Sequence, residues 1–562
     1  MINDELPEII LFQRRRVGDL FQSLPLVKNI LSGFEGNCRL FIVVNKNLKV
    51  LQPFFEPNIA LIDLNDFFKE FYSVDLNESA CPDYLNLTKD AVVFDTAINL
   101  NYNLTNSLIL NIIPARSKSG FIANQKGDKK QKIIYPLKAV NYFFNSIRHR
   151  NQNRINIADI FCLFNPDFYL ENKSHSRIGG KVLNELHECR QARERSGNPC
   201  NNKGFDRLKR AKKRDNGFKR IIFAVGASSP KRQWDNNELS ELIKLIRGNH
   251  PDFEIILAGL KEESDYAKQI ENSLDFPILN LVGGTSLTEV IELLKTGDII
   301  ISPDTGLLQI ASFIGLKIAA IFLGNANVYE TGPYLEGSYV ISPAIGCYPC
   351  LEHLRCEFDY ECKKRIKAKD VFNLIELMLL RDGGGFNYGG KKKDNILKDL
   401  EGDSKEGRFN LYKISNSVVT LSPVPVFKSK LDKISIASEI FKFGWFKILS
   451  DNKISAGYDD ILKYLTDYFV FDLDIAKSIN DDIMFFKNIM ANAFKTNEIS
   501  ENFILFLKNM ALNYPHLSLP LNYFISEIRF GIETNDKRYI KSSFIDITFF
   551  LENAHNVLNQ FR

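Results

Sequence analysis

The sequence predicts an α/β protein with two domains, each a parallel sheet covered by helices, followed by a mostly α-helical C-terminal region. Three observations predict it. Short apolar, β-branched runs alternate with segments of helical period in two separate stretches. A polar, basic stretch divides the two, and a glycine- and lysine-rich one follows the second. Beyond residue 408 glycine becomes scarce, and runs such as "DDIMFFKNIMANAF" and "ENFILFLKNMAL" look helical throughout.

Taken in order, residues 8–12 read as a strand, 20–31 as a helix, 39–44 as a strand and 91–95 as another, with 106–113 a helix or a buried turn. They make a first domain of residues 1–164. Residues 165–219 contain "RQARERSGNPCNNKGFDRLKRAKKRDNGFKR", low in apolar content and one-sided in charge. This is a linker with a solvated insertion, or else a patch attracted to phosphate or a membrane surface. A second domain spans 220–382. Its strands fall at 220–225, 254–258, 278–282, 298–302 and 318–322, and its helices at 236–247, 264–273, 287–295 and 306–314. Residues 383–408 read as a glycine- and lysine-rich linker. Residues 409–562 read as a helical accessory domain that carries no chemical motif.

Bulk properties narrow the function classes. At 562 residues the chain exceeds one ordinary core. Its 45% hydrophobic and 25% charged residues are those of a globular protein. A net charge of +4 is too small to argue for nucleic acid. No stretch approaches the roughly 20 apolar residues that span a bilayer, and the acidic start "MINDELPEII" is no signal peptide. Nine cysteines in so long a chain fit a reducing cytoplasm better than a disulfide scaffold. A cytoplasmic protein is expected, with peripheral contact at the inner face of the inner membrane as an option.

Chemistry concentrates where strands run into helices. In "SPDTGLLQIASFIGLKIAAIF", a strand leaves through Asp304-Thr305-Gly306 and a helix starts at once. Such a junction offers free N–H groups, a hydroxyl and a carboxylate at the carboxyl edge of a parallel sheet, where ligands bind in open α/β folds. In "RVGDLFQSLP", Gly18 permits a tight turn and Asp19 stands just before a helix, whose N-terminus stabilises the ionised carboxylate. That residue is a proton acceptor or a plain helix cap. In "GASSPKRQW", Gly226, Ser228 and Ser229 supply donors beside Lys231 and Arg232. No G-x-G-x-x-G follows either leading strand, which disfavours a dinucleotide-dependent oxidoreductase.

Four stretches in order resemble glycosyltransferase family 9, whose best-known members are the ADP-heptose heptosyltransferases. They are "RRRVGDLFQSLPLVKNI", "VGASSPKRQWDNNELSELI", "LVGGTSLTEVIELLKTGDIIISPDTGLLQIASFIGLKIAAIFLG" and "YETGPY…CYPC". The resemblance covers roughly residues 9–380. It implies the GT-B architecture, two Rossmann-like domains facing across a cleft, and an inverting transfer that needs no catalytic metal. It implies that Asp19 is the base, that Lys231 or Arg232 contacts the donor phosphates, and that Asp304, Thr305 and Gly306 hold diphosphate and sugar. Gln309 stands where many members carry histidine, and it cannot carry charge. Glu262 or Glu263 would hold the ribose, with Thr285 in a further loop near the nucleotide.

Cys347, Cys350, Cys356 and Cys362 are spaced C-x2-C-x5-C-x5-C. Four thiolates suit a structural zinc or iron, and similar stretches occur in the family. Free or disulfide-bonded cysteines are the alternative. The expected function is therefore transfer of a sugar, heptose by resemblance, from a nucleotide-activated donor. The acceptor is a glycan such as a lipopolysaccharide core, or a protein hydroxyl. The helical region would recruit the acceptor or drive homo-oligomerisation. A non-catalytic nucleotide-sugar-binding scaffold with the same fold is the competing class.

Overall fold

The computed structural model describes residues 6–72, 92–123, 133–134, 137–165, 219–352, 354–380, 393–416, 420–450, 458–470, 472–496, 501–533 and 536–559. In the first domain five strands form a sheet: β1 (Glu8–Phe12), β2 (Arg39–Val44), β3 (Ile59–Asp63), β4 (Phe94–Asn99) and β5 (Ala115–Gly120). The order is β3-β2-β1-β4-β5 and every pair is parallel. Ile9, Ile10, Leu11 and Phe12 are all buried, because helices cover both faces of the central strand. That is why the strand reads as an unbroken apolar run.

The second domain repeats the winding. Its strands are β6 (Arg220–Ala224), β7 (Glu254–Ala258), β8 (Leu279–Asn280), β9 (Ile299–Ser302), β10 (Lys317–Ile321) and β11 (Tyr339–Pro343). They run parallel in the order β8-β7-β6-β9-β10-β11. In both sheets the first strand sits at the centre and the order reverses beside it. This switch point opens a crevice at the strands' carboxyl ends.

Several expectations need correction. Strands β3 and β11, both short apolar runs, and the polar β5 add to the strands expected from the sequence. The strand placed at 91–95 is Phe94–Asn99, and residue 91 lies outside the described residues. Residues 393–405 form a helix inside the expected linker 383–408, while 383–392 lie outside the described residues. The basic stretch is described only up to residue 165 and again from 219.

The largest correction concerns residues 409–425. They are not part of a helical domain but two strands, β12 (Phe409–Asn416) and β13 (Leu421–Pro425), added antiparallel to the edge of the second sheet. Helices begin only at Lys433–Leu449, followed by Tyr458–Tyr468, Leu473–Thr496, Glu501–Asn513, Ser518–Glu533 and Lys537–Asn559. This region is no loose appendage. Trp445 packs on Tyr142 at 5.0 Å between ring centroids. Asn141 donates to Glu527 and to the Tyr523 carbonyl. Gln152 accepts from the Leu519 N–H at 2.9 Å.

A buried polar network joins all three parts. Arg154 of the first domain pairs with Glu439 of the helical region at 2.9 Å, both out of water. Asp159 accepts from Tyr334 of the second domain at 2.7 Å and from Thr420. Lys442 donates to Ser422 at 2.8 Å, and burial pulls its ammonium down to about 8. Charges buried this deeply are tolerated only where their partners stay in place, so the network resists relative movement of the three parts.

Candidate functional site

Two helix N-termini meet at the floor of the crevice. They belong to α1 (Val17–Gly33), which follows β1, and α2 (Gly306–Ile314), which follows β9. The glycines make the approach possible. A Cβ on Gly18 would lie 3.3 Å from the Gly306 Cα, and one on Gly306 would lie 2.8 Å from Val17 Cγ1. Thr305 caps α2 by accepting the Leu308 N–H, and left-handed Gly315 ends it.

Asp19 lies within the first turn of α1, three residues after the Arg16 cap position rather than at it. Its Oδ2 accepts the Arg16 N–H at 3.1 Å. The turn before it is fixed from elsewhere in the first domain. The Arg14 N–H donates to Asn101 at 2.7 Å, the Asn101 amide donates to Gln13, and Gln13 donates to the Asp19 carbonyl. Burial raises the Asp19 carboxyl above its ordinary value, while the charges of Arg15 and Arg16 and the backbone N–H groups pull the other way. The net of these effects is a carboxyl more basic than a free aspartate.

Across the crevice, Arg232 Nη1 donates to Asp304 Oδ2 at 2.9 Å and to the Asp304 carbonyl at 3.2 Å. Its Nη2 donates to Ser228 Oγ. The loop turns through an Arg232 N–H to Ser229 carbonyl bond of 3.0 Å. Asp304 is therefore buried and paired with an arginine rather than open to solvent. Lys231 points elsewhere: its ammonium donates to the carbonyls of Leu351, Glu352 and Leu354, holding the cysteine-rich loop. Of the two expected phosphate-contacting cations, only Arg232 faces the junction. Gln309 donates to the Thr331 carbonyl at 2.8 Å, so its amide tethers the neighbouring loop.

Glu263 fills a glycine cradle at the ends of β6 and β7. A Cβ on Gly226 would fall 2.0 Å from the Glu263 Cδ, and one on Gly259 would fall 2.4 Å from its Oε2. The carboxylate accepts the Leu260 N–H at 2.8 Å, and burial raises its pKa. Glu262 is exposed, which makes Glu263 the better placed of the pair. The next loop packs against it: a Cβ on left-handed Gly283 would meet the Lys261 Cα at 2.9 Å. In that loop the Thr285 hydroxyl is buried with no partner.

The four cysteines share one neighbourhood. Burial raises the Cys350 and Cys362 thiols, and the charges of the neighbouring cysteines add to the effect. The thiol set suits zinc or iron in kind. Among the described residues, however, no three His, Cys, Asp or Glu side chains are gathered so as to hold a metal ion. No helix there is long and apolar enough to cross a membrane.

Residues 90–360 match the family model described as glycosyltransferase family 9 (heptosyltransferase). That match spans just under half of the chain. A solved glycosyltransferase family 9 protein from Veillonella parvula is 15% identical, with 67% of this chain and 98% of that one covered and a TM-score of 0.46. The ADP-heptose lipopolysaccharide heptosyltransferase II of E. coli is 13% identical, covering 67% and 99%, with a TM-score of 0.42. The iron-containing dodecameric glycosyltransferase TibC of enterotoxigenic E. coli is 13% identical, covering 67% and 77%, with a TM-score of 0.37. No curated protein sequence matches the chain.

The family 9 match begins at residue 90, so the turn that carries Asp19 lies ahead of it and stands on its own geometry. Two arginines of the candidate site were missed in the sequence. Arg16 reaches Ser228 at 3.1 Å, and Arg150 pairs with buried Glu330 at 2.7 Å, where it also feels the charge of Asp304. Neither stands in a motif that names its partner. Arg16 offered one signal, as the last of three arginines before the Gly18-Asp19 turn.

Proposed function

We propose that this protein is an inverting glycosyltransferase that moves a sugar, heptose in the first instance, from an ADP-activated donor to a hydroxyl of a glycan or a protein. The observation that carries the proposal is the opposition of Asp19, on the first turn of α1, to the Arg232–Asp304 pair, whose aspartate stands just ahead of the Thr305 cap of α2. The two helix starts touch through Gly18 and Gly306, so base and phosphate-binding loops share one crevice.

The chemistry follows from the placement. The acceptor oxygen attacks the anomeric carbon from the face opposite the diphosphate. The bond from that carbon to the phosphate oxygen breaks, and its electron pair leaves with the phosphate. The acceptor's proton passes to the Asp19 carboxylate. Negative charge growing on the leaving phosphate is met by the Arg232 guanidinium, the Ser228 hydroxyl and the N–H groups at the start of α2. One displacement inverts the centre. The cations for this step are supplied by the chain itself, which is the basis for proposing a metal-independent mechanism. Glu263, beside Gly226 and Gly259, would accept from the ribose hydroxyls.

The test is a thermal-shift screen against ADP, UDP, GDP and CMP, with ADP-heptose and UDP-glucose alongside. A ligand at a hundred times its dissociation constant stabilises the fold by about 2.7 kcal/mol. Shifts with ADP and ADP-heptose alone support the proposal. Shifts only with the UDP or GDP ligands reject the heptose, and no shift with any of them rejects the enzyme.

A further inference from the structure

The strand-to-helix turns explain most of the charges in the crevice, but not Arg16. It belongs to the first domain, yet its Nη1 donates across the crevice to Ser228 Oγ, 212 residues away. The same hydroxyl accepts from Arg232 Nη2. Two guanidinium groups thus converge, from the two domains, on one neutral oxygen. Like charges gathered on a hydroxyl repel, and a hydroxyl carries no charge to compensate them.

The nearby carboxylates do not settle the balance. Asp304 is taken up by Arg232. Asp19 feels the charges of both Arg15 and Arg16, and its direct hydrogen bond to Arg16 is through the backbone N–H. Among the described residues Arg16 makes no ion pair, and the Nε of Arg232 is buried without a partner. The N–H groups at the start of α2 add positive potential beside them. Such a cluster is short of an anion with several oxygens that two planar forks can grip from opposite sides.

We propose that Arg16 is a donor-binding residue: it grips the diphosphate of the nucleotide donor from the first domain while Arg232 grips it from the second. The proposal rests on the glycosyltransferase reading above and adds a residue and a consequence to it. Arg16 lies three positions before Asp19, on the same short turn. A diphosphate held between Arg16 and Arg232 therefore fixes the turn that carries the base, so occupancy of the donor site and placement of the base are coupled.

The experiment is calorimetric titration of wild type, Arg16→Ala, Arg16→Lys and Arg232→Ala with ADP, UDP and GDP, their monophosphates and inorganic pyrophosphate. Melting temperatures without ligand are measured in parallel. For the diphosphate that binds wild type, Arg16→Ala should weaken binding about 10- to 100-fold, the scale of one lost charge-assisted contact. The matching monophosphate should lose less than threefold. Lysine should recover only part of the loss, because it lacks the fork. The unliganded Arg16→Ala protein should melt within a degree or two of wild type, since the like charge it removes from beside Arg232 offsets the lost attraction to Asp19.

Three results overturn the proposal: diphosphate binding by Arg16→Ala within threefold of wild type, equal losses for mono- and diphosphates, or a melting temperature several degrees lower for the unliganded variant. The last is the mark of a structural arginine. Pyrophosphate binding that depends on Arg16, with no nucleotide bound by wild type, would keep the clamp and remove the nucleotide reading. Wild type that binds neither removes both.

Discussion

Replacing Asp19 by asparagine separates a base from a helix cap. Asparagine keeps the size and an acceptor oxygen for the Arg16 N–H, which now spans 3.1 Å to Oδ2. What disappears is the charge and the ability to take a proton. Loss of a general base lowers turnover by about 10²–10⁴-fold. For stability two opposing effects nearly cancel. The favourable meeting of an anion with a helix N-terminus, worth about 0.3–1 kcal/mol, is lost. The burial penalty that raises this carboxyl is relieved. A raised carboxyl is bound more tightly to its proton in the folded protein than in the unfolded one. It therefore costs stability as pH rises past the unfolded value, and the cost is complete above the folded value. At pH 7.5 the variant should melt within a degree or two of wild type, or slightly above it. The assay is sugar transfer, or donor hydrolysis, with a melting curve on the same sample. In wild type, log kcat should fall with unit slope on the acid side, with its midpoint above the ordinary aspartate range. An asparagine variant that keeps a third or more of wild-type kcat would refute the base assignment. So would one that melts several degrees lower, because the lost rate would then reflect a damaged fold.

Other predictions follow from the same coordinates. Gly226→Ala puts a methyl group 2.0 Å from the Glu263 Cδ, so the carboxylate must leave its cradle. Overpacking of this kind costs about 1–3 kcal/mol. Nucleotide affinity should fall at least tenfold, and an unchanged dissociation constant would show that the cradle lies outside the nucleotide site. Glu439→Ala strands Arg154 in a dry junction and should cost about 3–5 kcal/mol in chemical denaturation. A loss under 1 kcal/mol would show that water reaches the pair. Glu527 is buried among Asn141, Tyr539, Lys138 and Asp546, and burial lifts it to about 7. Its penalty is absent at pH 4 and complete above pH 7, so Glu527→Gln should raise stability at pH 8 by about 3 kcal/mol and change nothing at pH 4. Equal effects at both pH values would contradict the titration.

Much of the fold was legible because its signals are local. The unbroken apolar runs of β1, β6 and β9 mark strands buried on both faces. Thr305 and Gly315 mark both ends of α2 within eleven residues. Two other strands carry no such pattern: "ARSKSG" is polar, and "LSPVP" holds two prolines. The second pairs because it lies at the sheet's outer edge, where proline is tolerated. Its pairing with Phe409–Asn416 moved the start of the helical region from 409 to 433. Lys231 and Arg232 show the limit for the site. Adjacent in sequence and alike in charge, they are sent to different places, one to the loop at 351–354 and the other to Asp304.

The sequence by itself determined the local grammar: two βα windings, glycine turns at the strand ends, an aspartate at one helix start and an Asp-Thr-Gly at another. These follow from side-chain periodicity and backbone freedom within a few residues. Tertiary structure alone decided which turns face each other, that Arg16 shares a hydroxyl with Arg232, and that Arg154 is neutralised by Glu439, 285 residues away. Those pairings depend on which apolar faces bury one another, and burial is a property of the whole chain. The charges then settle where the packing leaves them partners.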